Sequence, residues 1–255
     1  MRNAGGKVSI CNLFKTCWYL TPGKTRIRHG YRRDTFPQGK AWRLRRWCDN
    51  LQFSQFLQGG IFLEQVLLIT GFDPFGGATV NPSWEAVQKL PERIGNWKLC
   101  KLQIPTVFGL AAETALRKAQ EVNPTAILCL GVAVGRSAVT PERIGINVRC
   151  ARIPDNRGNQ PMEESVLPDG PDGLFSTVNV TAMAAAIEQL GLPGAVSNTA
   201  GTFVCNDVLY TLLHHYRNTG VKVGFLHVPQ LPEQGTPSLP LEDTVRAVTA
   251  AITAL

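Results

Sequence analysis

From residue 65 onward, short apolar runs alternate with stretches whose apolar positions recur every three or four residues. "QVLLIT", "KLCKLQIP", "TAILCLG", "GAVSN" and "VKVGFLHVP" read as strands, each bounded by turn-forming residues. "IGINVRCARI" alternates with period two and is expected to form a further strand, ending at the turn "PDNRGNQP". Between the strands lie helical patterns. "NPSWEAVQKL" begins with Asn81 suited to the N-cap and Pro82 to the first helical position. "GLAAETALRKAQEV" stops before Asn123-Pro124. "STVNVTAMAAAIEQLG" offers Ser176 as N-cap, a stripe of Val180, Met183, Ala184 and Ile187, and Gly191 as a stop. "DVLYTLLHHYR" and "LEDTVRAVTAAITAL" complete the series. Unbroken apolar strands separated by helices indicate an α/β chain. The expected fold is a single-domain α/β/α sandwich with a mostly parallel twisted sheet.

Residues 1–62 carry no such pattern. They hold 12 Lys+Arg against Asp34 and Asp49, a net charge of +10, and three tryptophans scattered among the basic residues. Residues 63–255 hold 14 Lys+Arg against 17 Asp+Glu, a net charge of −3. The overall +7 is therefore a property of the first segment and gives no reason to expect nucleic acid on the larger part. Residues 1–62 read as a basic extension, disordered or foreign to the native protein through a mis-assigned start, with a nucleic-acid arm or a targeting segment as the functional alternative. Residues 63–255 read as one folded domain. No apolar run approaches the ~18 residues of a membrane span. The seven cysteines are odd in number and contain no CxxC pair, so reduced thiols in a cytoplasmic protein are expected, with no metal site.

Ligands of parallel α/β sheets bind beyond the carboxyl ends of the strands. That rule selects "GFDPFGG", "GVAVGRSAVTPER", "SNTAGTFVCN" and "FLHVP". Cys205 lies just before a helix, where free N–H groups and the helix dipole are expected to lower a thiol's pKa, although burial as a small apolar residue is the alternative. A thiol nucleophile needs a base. Of the four histidines, His29 is in the basic segment and His214 and His215 face outward on a helix, whereas His227 ends a strand. Glu142 stands where it can orient that imidazole, or pair with Arg143 at the surface. Arg152 can donate to an oxyanion or pair with Asp155. Phe72 and Phe75 flank Pro74 and suit a flat neutral ring, and the glycines beside them match no phosphate-binding pattern.

Four ordered segments, "LLITGFDPFGGATVNPSWEAV", "TPERIGINVRCARIPDN", "SNTAGTFVCNDVLY" and "GFLHVPQLPEQ", together resemble the pyroglutamyl peptidase I family of cysteine peptidases over residues 64 to 255. The resemblance implies hydrolysis of N-terminal pyroglutamyl peptides through a thioester, without metal or cofactor, by a dimer or tetramer. It implies Cys205 as nucleophile, His227 as general base and acid, and Glu142 as the residue orienting His227. Arg152 falls on an arginine assisting near the oxyanion, Phe72, Phe75, Phe203 and Val204 on the pyroglutamate pocket, and Asn81 on a supporting polar position. Two departures stand out. Val132 replaces a glutamine common in the family, removing one polar contact to the lactam, and Val134-Gly135 replaces a pair of glycines. The family also lacks the basic extension, so Leu63 is expected to be the true start; native peptides from residues 1–60 would sink that expectation. A nucleoside phosphorylase-like enzyme, and a non-catalytic binder of peptides or nucleic acid, are the rival readings.

Overall fold

The computed structural model describes residues 65–255, and the expectations for the basic segment fall outside that range. In chain order the strands are β1 (Gln65–Phe72), β2 (Arg93–Ile94), β3 (Trp97–Ile104), β4 (Ala126–Val132), β5 (Thr140–Pro141), β6 (Ile144–Ile146), β7 (Gly173–Phe175) and β8 (Lys222–Val228). The helices are α1 (Pro82–Lys89), α2 (Leu110–Val122), α3 (Val180–Glu188), α4 (Val204–Tyr216) and α5 (Leu241–Thr253). Six strands form one sheet in the order β2-β3-β1-β4-β8-β5. The central four are parallel, and the two-residue edge strands are antiparallel. β6 and β7 make a separate antiparallel pair.

Side chains alternate across the sheet, so each central strand feeds two cores. Leu67, Ile69, Leu128, Leu130, Leu226 and Val228 pack under α1, α3 and α5. Leu68, Ile127, Cys129, Val223 and Phe225 pack under α2 and α4. Both faces are covered, which is why these strands read as continuous apolar runs rather than as alternating ones. This is the α/β/α arrangement expected. Each fully buried aliphatic or aromatic side chain contributes about 1.5–3 kcal/mol.

The caps differ in detail from expectation. Asn81 caps α1 through Oδ1 to Ser83 N, with Pro82 first in the helix, and α2 ends on Asn123 in a left-handed conformation. α3, however, is capped by Asn179, which accepts from Ala182 N. Ser176 instead donates its hydroxyl to Glu142 O at 2.6 Å, so it serves the site and not the helix. α4 begins at Val204, which puts Cys205 inside its first turn rather than ahead of it.

Two expected strands are cut short. The "IGINVRCARI" strand persists only over Ile144–Ile146, because Asn206 beyond it takes Ile146 N, Ile146 O and Val148 O for its own amide. "GAVSN" runs parallel to residues 139–143 without forming a ladder. Ala195 N bonds Val139 O, Ser197 N bonds Pro141 O and Arg143 N bonds Ser197 O. Pro141 has no N–H to continue the alternation, which leaves isolated bridges at Gly194 and Ser197.

Candidate active site

The carboxyl ends of β1, β4 and β8 converge with the start of α4. What holds Cys205 there is the pair of residues after it. Asn206, fully buried, binds the backbone at Ile146 and Val148. Asp207, also fully buried, accepts from Gly109 N at 2.8 Å and from Arg149 Nε at 2.6 Å. Sequence reasoning missed both. Their signal was two polar residues interrupting an otherwise apolar helical stripe.

The Cys205 sulfur has little room. A Cβ on Gly131, the residue of β4 paired with His227, would lie 2.8 Å from Sγ and 2.8 Å from the Phe225 ring. Glycine at this position is therefore a spatial requirement of the thiol. Cys205 keeps part of its surface where it meets the cavity and is enclosed on its other sides. Burial pushes its thiol up to about 12, and the Glu142 charge adds to the effect, while the helix N–H and Arg136 pull the other way. The expected lowering at the helix start is thus outweighed by desolvation. At rest the residue is a neutral thiol.

His227 is 4% exposed and lies on the same face of β8 as Val223 and Phe225, toward α4. Its Nδ1 stands 2.6 Å from Glu142 Oε1. A carboxylate can only accept, so Nδ1 carries the proton and Nε2 is left as the basic nitrogen. Glu142 is completely buried and locked by its backbone, with its N donating to Phe225 O and its O accepting from Ser176. Burial alone would raise its pKa. The hydrogen bond and charge of His227, helped by Ser197 and Arg136, more than offset that and hold it below the ordinary 4.5. The carboxylate is therefore ionised at neutral pH. Its Oε1 carries both charged bonds, and Oε2 has no hydrogen-bond partner among the described residues. The surface pairing with Arg143 does not form: Arg143 Nε donates to Asn198.

Arg136, which sequence reasoning passed over, is the cation that reaches the site. Its Nη1 donates to Glu142 Oε1 at 2.6 Å and to Thr140 Oγ1 at 2.7 Å, and its Nη2 to Thr199 O at 3.1 Å. It joins the buried carboxylate to the loop that leads into Cys205. A lone charge in the apolar loop 132–139 was its only trace in the sequence.

Cys205 and His227 open on one cavity of about 300 Å³. Phe72, Phe75, Phe203 and Asn81 line it, as expected, and so does Val132. Phe203 is fixed between Phe75 and Phe108, with centroids 6.0 and 5.2 Å away. The Asn81 amide donates to Asp73 O and holds the phenylalanine loop in place. Val204 is not in the lining: it is fully buried in the core under α4. Arg152 does not reach the cavity either. It is exposed on a loop turned by Asp155, whose carboxylate is taken up by Phe108 N, Arg157 N and Asn159, so the Asp155 pairing is absent as well. An aromatic cavity with a thiol, an imidazole of fixed tautomer and a buried carboxylate behind it is suited to acyl transfer on a small uncharged ring.

Comparison with known proteins agrees with that chemistry. The family model for pyroglutamyl peptidase matches residues 65–255. The pyrrolidone-carboxylate peptidase of Levilactobacillus brevis is 50% identical over 197 residues, covering 74% of this chain and 96% of that protein. Pyrrolidone-carboxylate peptidase 1 of Caldanaerobacter subterraneus is 44% identical over 193 residues, covering 73% and 95%. The crystal structure of pyroglutamyl peptidase I from Bacillus amyloliquefaciens superposes with a TM-score of 0.73 at 42% identity, covering 75% of this chain and 95% of that one. A mutant pyrrolidone carboxyl peptidase from Pyrococcus furiosus gives 0.72 at 36% identity, covering 74% and 97%.

Proposed function

This chain belongs to the pyroglutamyl peptidase family, and on that premise we propose Cys205 as its nucleophile, His227 as its general base and acid, and Glu142 as the group that orients His227. The enzyme is a cysteine hydrolase that removes N-terminal pyroglutamate, and the phosphorylase-like and non-catalytic alternatives are not favoured. The observation that carries the residue assignment is the shared cavity: Cys205 and His227 both line it, and His227 Nδ1 is held by a buried carboxylate.

The chemistry follows from the charges. Burial keeps the thiol neutral, so the thiolate forms as its proton passes to His227 Nε2, and ionised Glu142 stabilises the resulting imidazolium. Sγ attacks the pyroglutamyl carbonyl carbon, and the displaced π pair makes an oxyanion. No side chain caps the N-terminus of α4, so the first-turn N–H groups around Cys205 are open to that negative charge. The C–N bond then breaks, the leaving amine takes the proton from Nε2, and a thioester remains. Water, deprotonated by His227, hydrolyses it to free pyroglutamate and returns the proton to sulfur. The pyroglutamyl ring is uncharged and has no free α-amine, which matches the aromatic lining. A charged glutamate terminus would cost several kcal/mol to bury there unpaired.

Reduced thiols point this reading to the cytoplasm: Cys100, Cys129, Cys150 and Cys205 are all free. Among the described residues no helix is long and apolar enough to cross a membrane. A dimer or tetramer is the assembly the family resemblance suggests. The test of the assignment is hydrolysis of a fluorogenic pyroglutamyl amide beside a prolyl amide. Release from the pyroglutamyl substrate alone, abolished in Cys205→Ser, is expected. Undiminished turnover in Cys205→Ser would remove Cys205 from the mechanism.

A further inference from the structure

The catalytic cavity continues into a second one. This second cavity, of about 580 Å³, shares Phe75, Asn81, Val132 and Val134 with the first and extends along residues 76–80. The two differ in charge. Arg136 and His227 line the first, whereas among the described residues Glu233 is the sole ionisable side chain lining the second. The second is also walled by apolar groups that the fold leaves open, since Val134 is 71% and Ile153 41% exposed.

One polar group in this wall is unusual. Gln230 is only 7% exposed, lines the cavity, and has no hydrogen-bond partner for its side-chain amide among the described residues. Facing the cavity, that amide has both a donor and an acceptor free for the main chain of a ligand. Gly235 leaves room for it from behind: a Cβ there would lie 2.8 Å from Gln230 Nε2. The wall itself is tied together, because Gln234 accepts from Leu231 N and donates to Val80 O, joining the 231–235 turn to the 76–81 loop.

A pyroglutamyl group ends its chain, so a small aromatic cavity can enclose it. The peptide on the other side of the scissile bond has no fixed length and needs a path that stays open. Building on the catalytic assignment above, we propose that the second cavity seats the first residues of the leaving peptide. Gln230 hydrogen-bonds their main chain, Val134 and Ile153 cover their apolar atoms, and Glu233 favours a basic side chain over an acidic one.

The test compares kcat/KM for pyroglutamyl-arginine amide and pyroglutamyl-glutamate amide in the full-length protein. The wild type is expected to favour the arginine peptide by about threefold to fivefold at low salt, the upper range of a solvent-exposed charge pair. Raising salt from about 0.02 M to about 0.5 M should bring that ratio toward one, which needs no variant. Glu233→Gln should bring it to within about twofold of one at low salt. Gln230→Leu should slow both peptides about fivefold relative to a fluorogenic pyroglutamyl amide that carries no leaving peptide. Equal rates on the two peptides in the wild type would overturn the inference, as would a preference that survives Glu233→Gln or high salt. An unchanged ratio in Glu233→Gln with an altered sedimentation coefficient would assign this face to contact between copies and overturn it too. Absence of turnover on every pyroglutamyl substrate would overturn the catalytic assignment itself, and this inference with it.

Discussion

Cys205 shows how a single side chain answers to competing fields. The start of a helix favours a thiolate, but the thiol is packed against Gly131 and Phe225 and sits near the ionised Glu142. Desolvation of a buried anion exceeds what half a dipole charge can return, so the balance goes to the neutral form. On the proposed mechanism the thiolate is then generated only when His227 accepts its proton. In His227→Ala that route is gone, and the rate of Cys205 alkylation by iodoacetamide should keep rising above pH 9.0, the ordinary thiol value, toward about 12. In the wild type the proton can instead pass to His227 Nε2, so alkylation at neutral pH should be faster than in His227→Ala. A His227→Ala profile that levels off near neutrality would contradict burial as the dominant influence on this thiol.

Among the elements, α4 carries the most function per turn. Its first turn supplies the proposed nucleophile and open N–H groups, and the next two residues anchor it sideways. Asp207 and Arg149 form an ion pair whose carboxylate is fully buried, with Arg149 Nη2 2.5 Å away. Removing the carboxylate leaves Arg149, 22% exposed and so partly hydrated, without its partner and costs about 1.5–3 kcal/mol, the worth of a hydrogen bond to a charged group. Asp207→Asn should lower the unfolding free energy by about that amount, read as a shift in urea midpoint at unchanged slope. Because the same contact positions Cys205, kcat for the pyroglutamyl amide should fall as well. A stable Asp207→Asn protein with wild-type kcat would show that α4 is held by other contacts. The helices themselves were legible in the sequence, because apolar spacing and the Asn81-Pro82 and Asn123-Pro124 signals are local. The Ser176 cap and the "GAVSN" strand were not. Ser176 is claimed by Glu142, and the ladder beside "GAVSN" fails at Pro141, a residue more than fifty positions away in the chain.

For the molecule as a whole, the family model matches residues 65–255, the range that holds both cores and the candidate catalytic cavity among the described residues. We therefore expect residues 63–255 alone to hydrolyse the pyroglutamyl amide with the kcat of the full chain; a loss beyond about tenfold, more than 1.4 kcal/mol in barrier, would make residues 1–62 part of the catalytic unit. The sequence by itself determined the layered α/β architecture, because covered parallel strands must be apolar throughout and their helices must be amphipathic. It also pointed to Cys205, His227 and Glu142, since strand-end position and side-chain chemistry are both written locally. The tertiary structure alone decided which neighbours those groups meet. It replaced Arg152 with Arg136 as the cation at the site and sent Val204 into the core. It gave Gly131 its purpose and left the Gln230 amide open on a cavity. Such contacts join segments tens of residues apart, and their distances are set by how strands register and helices pack, which no local pattern encodes.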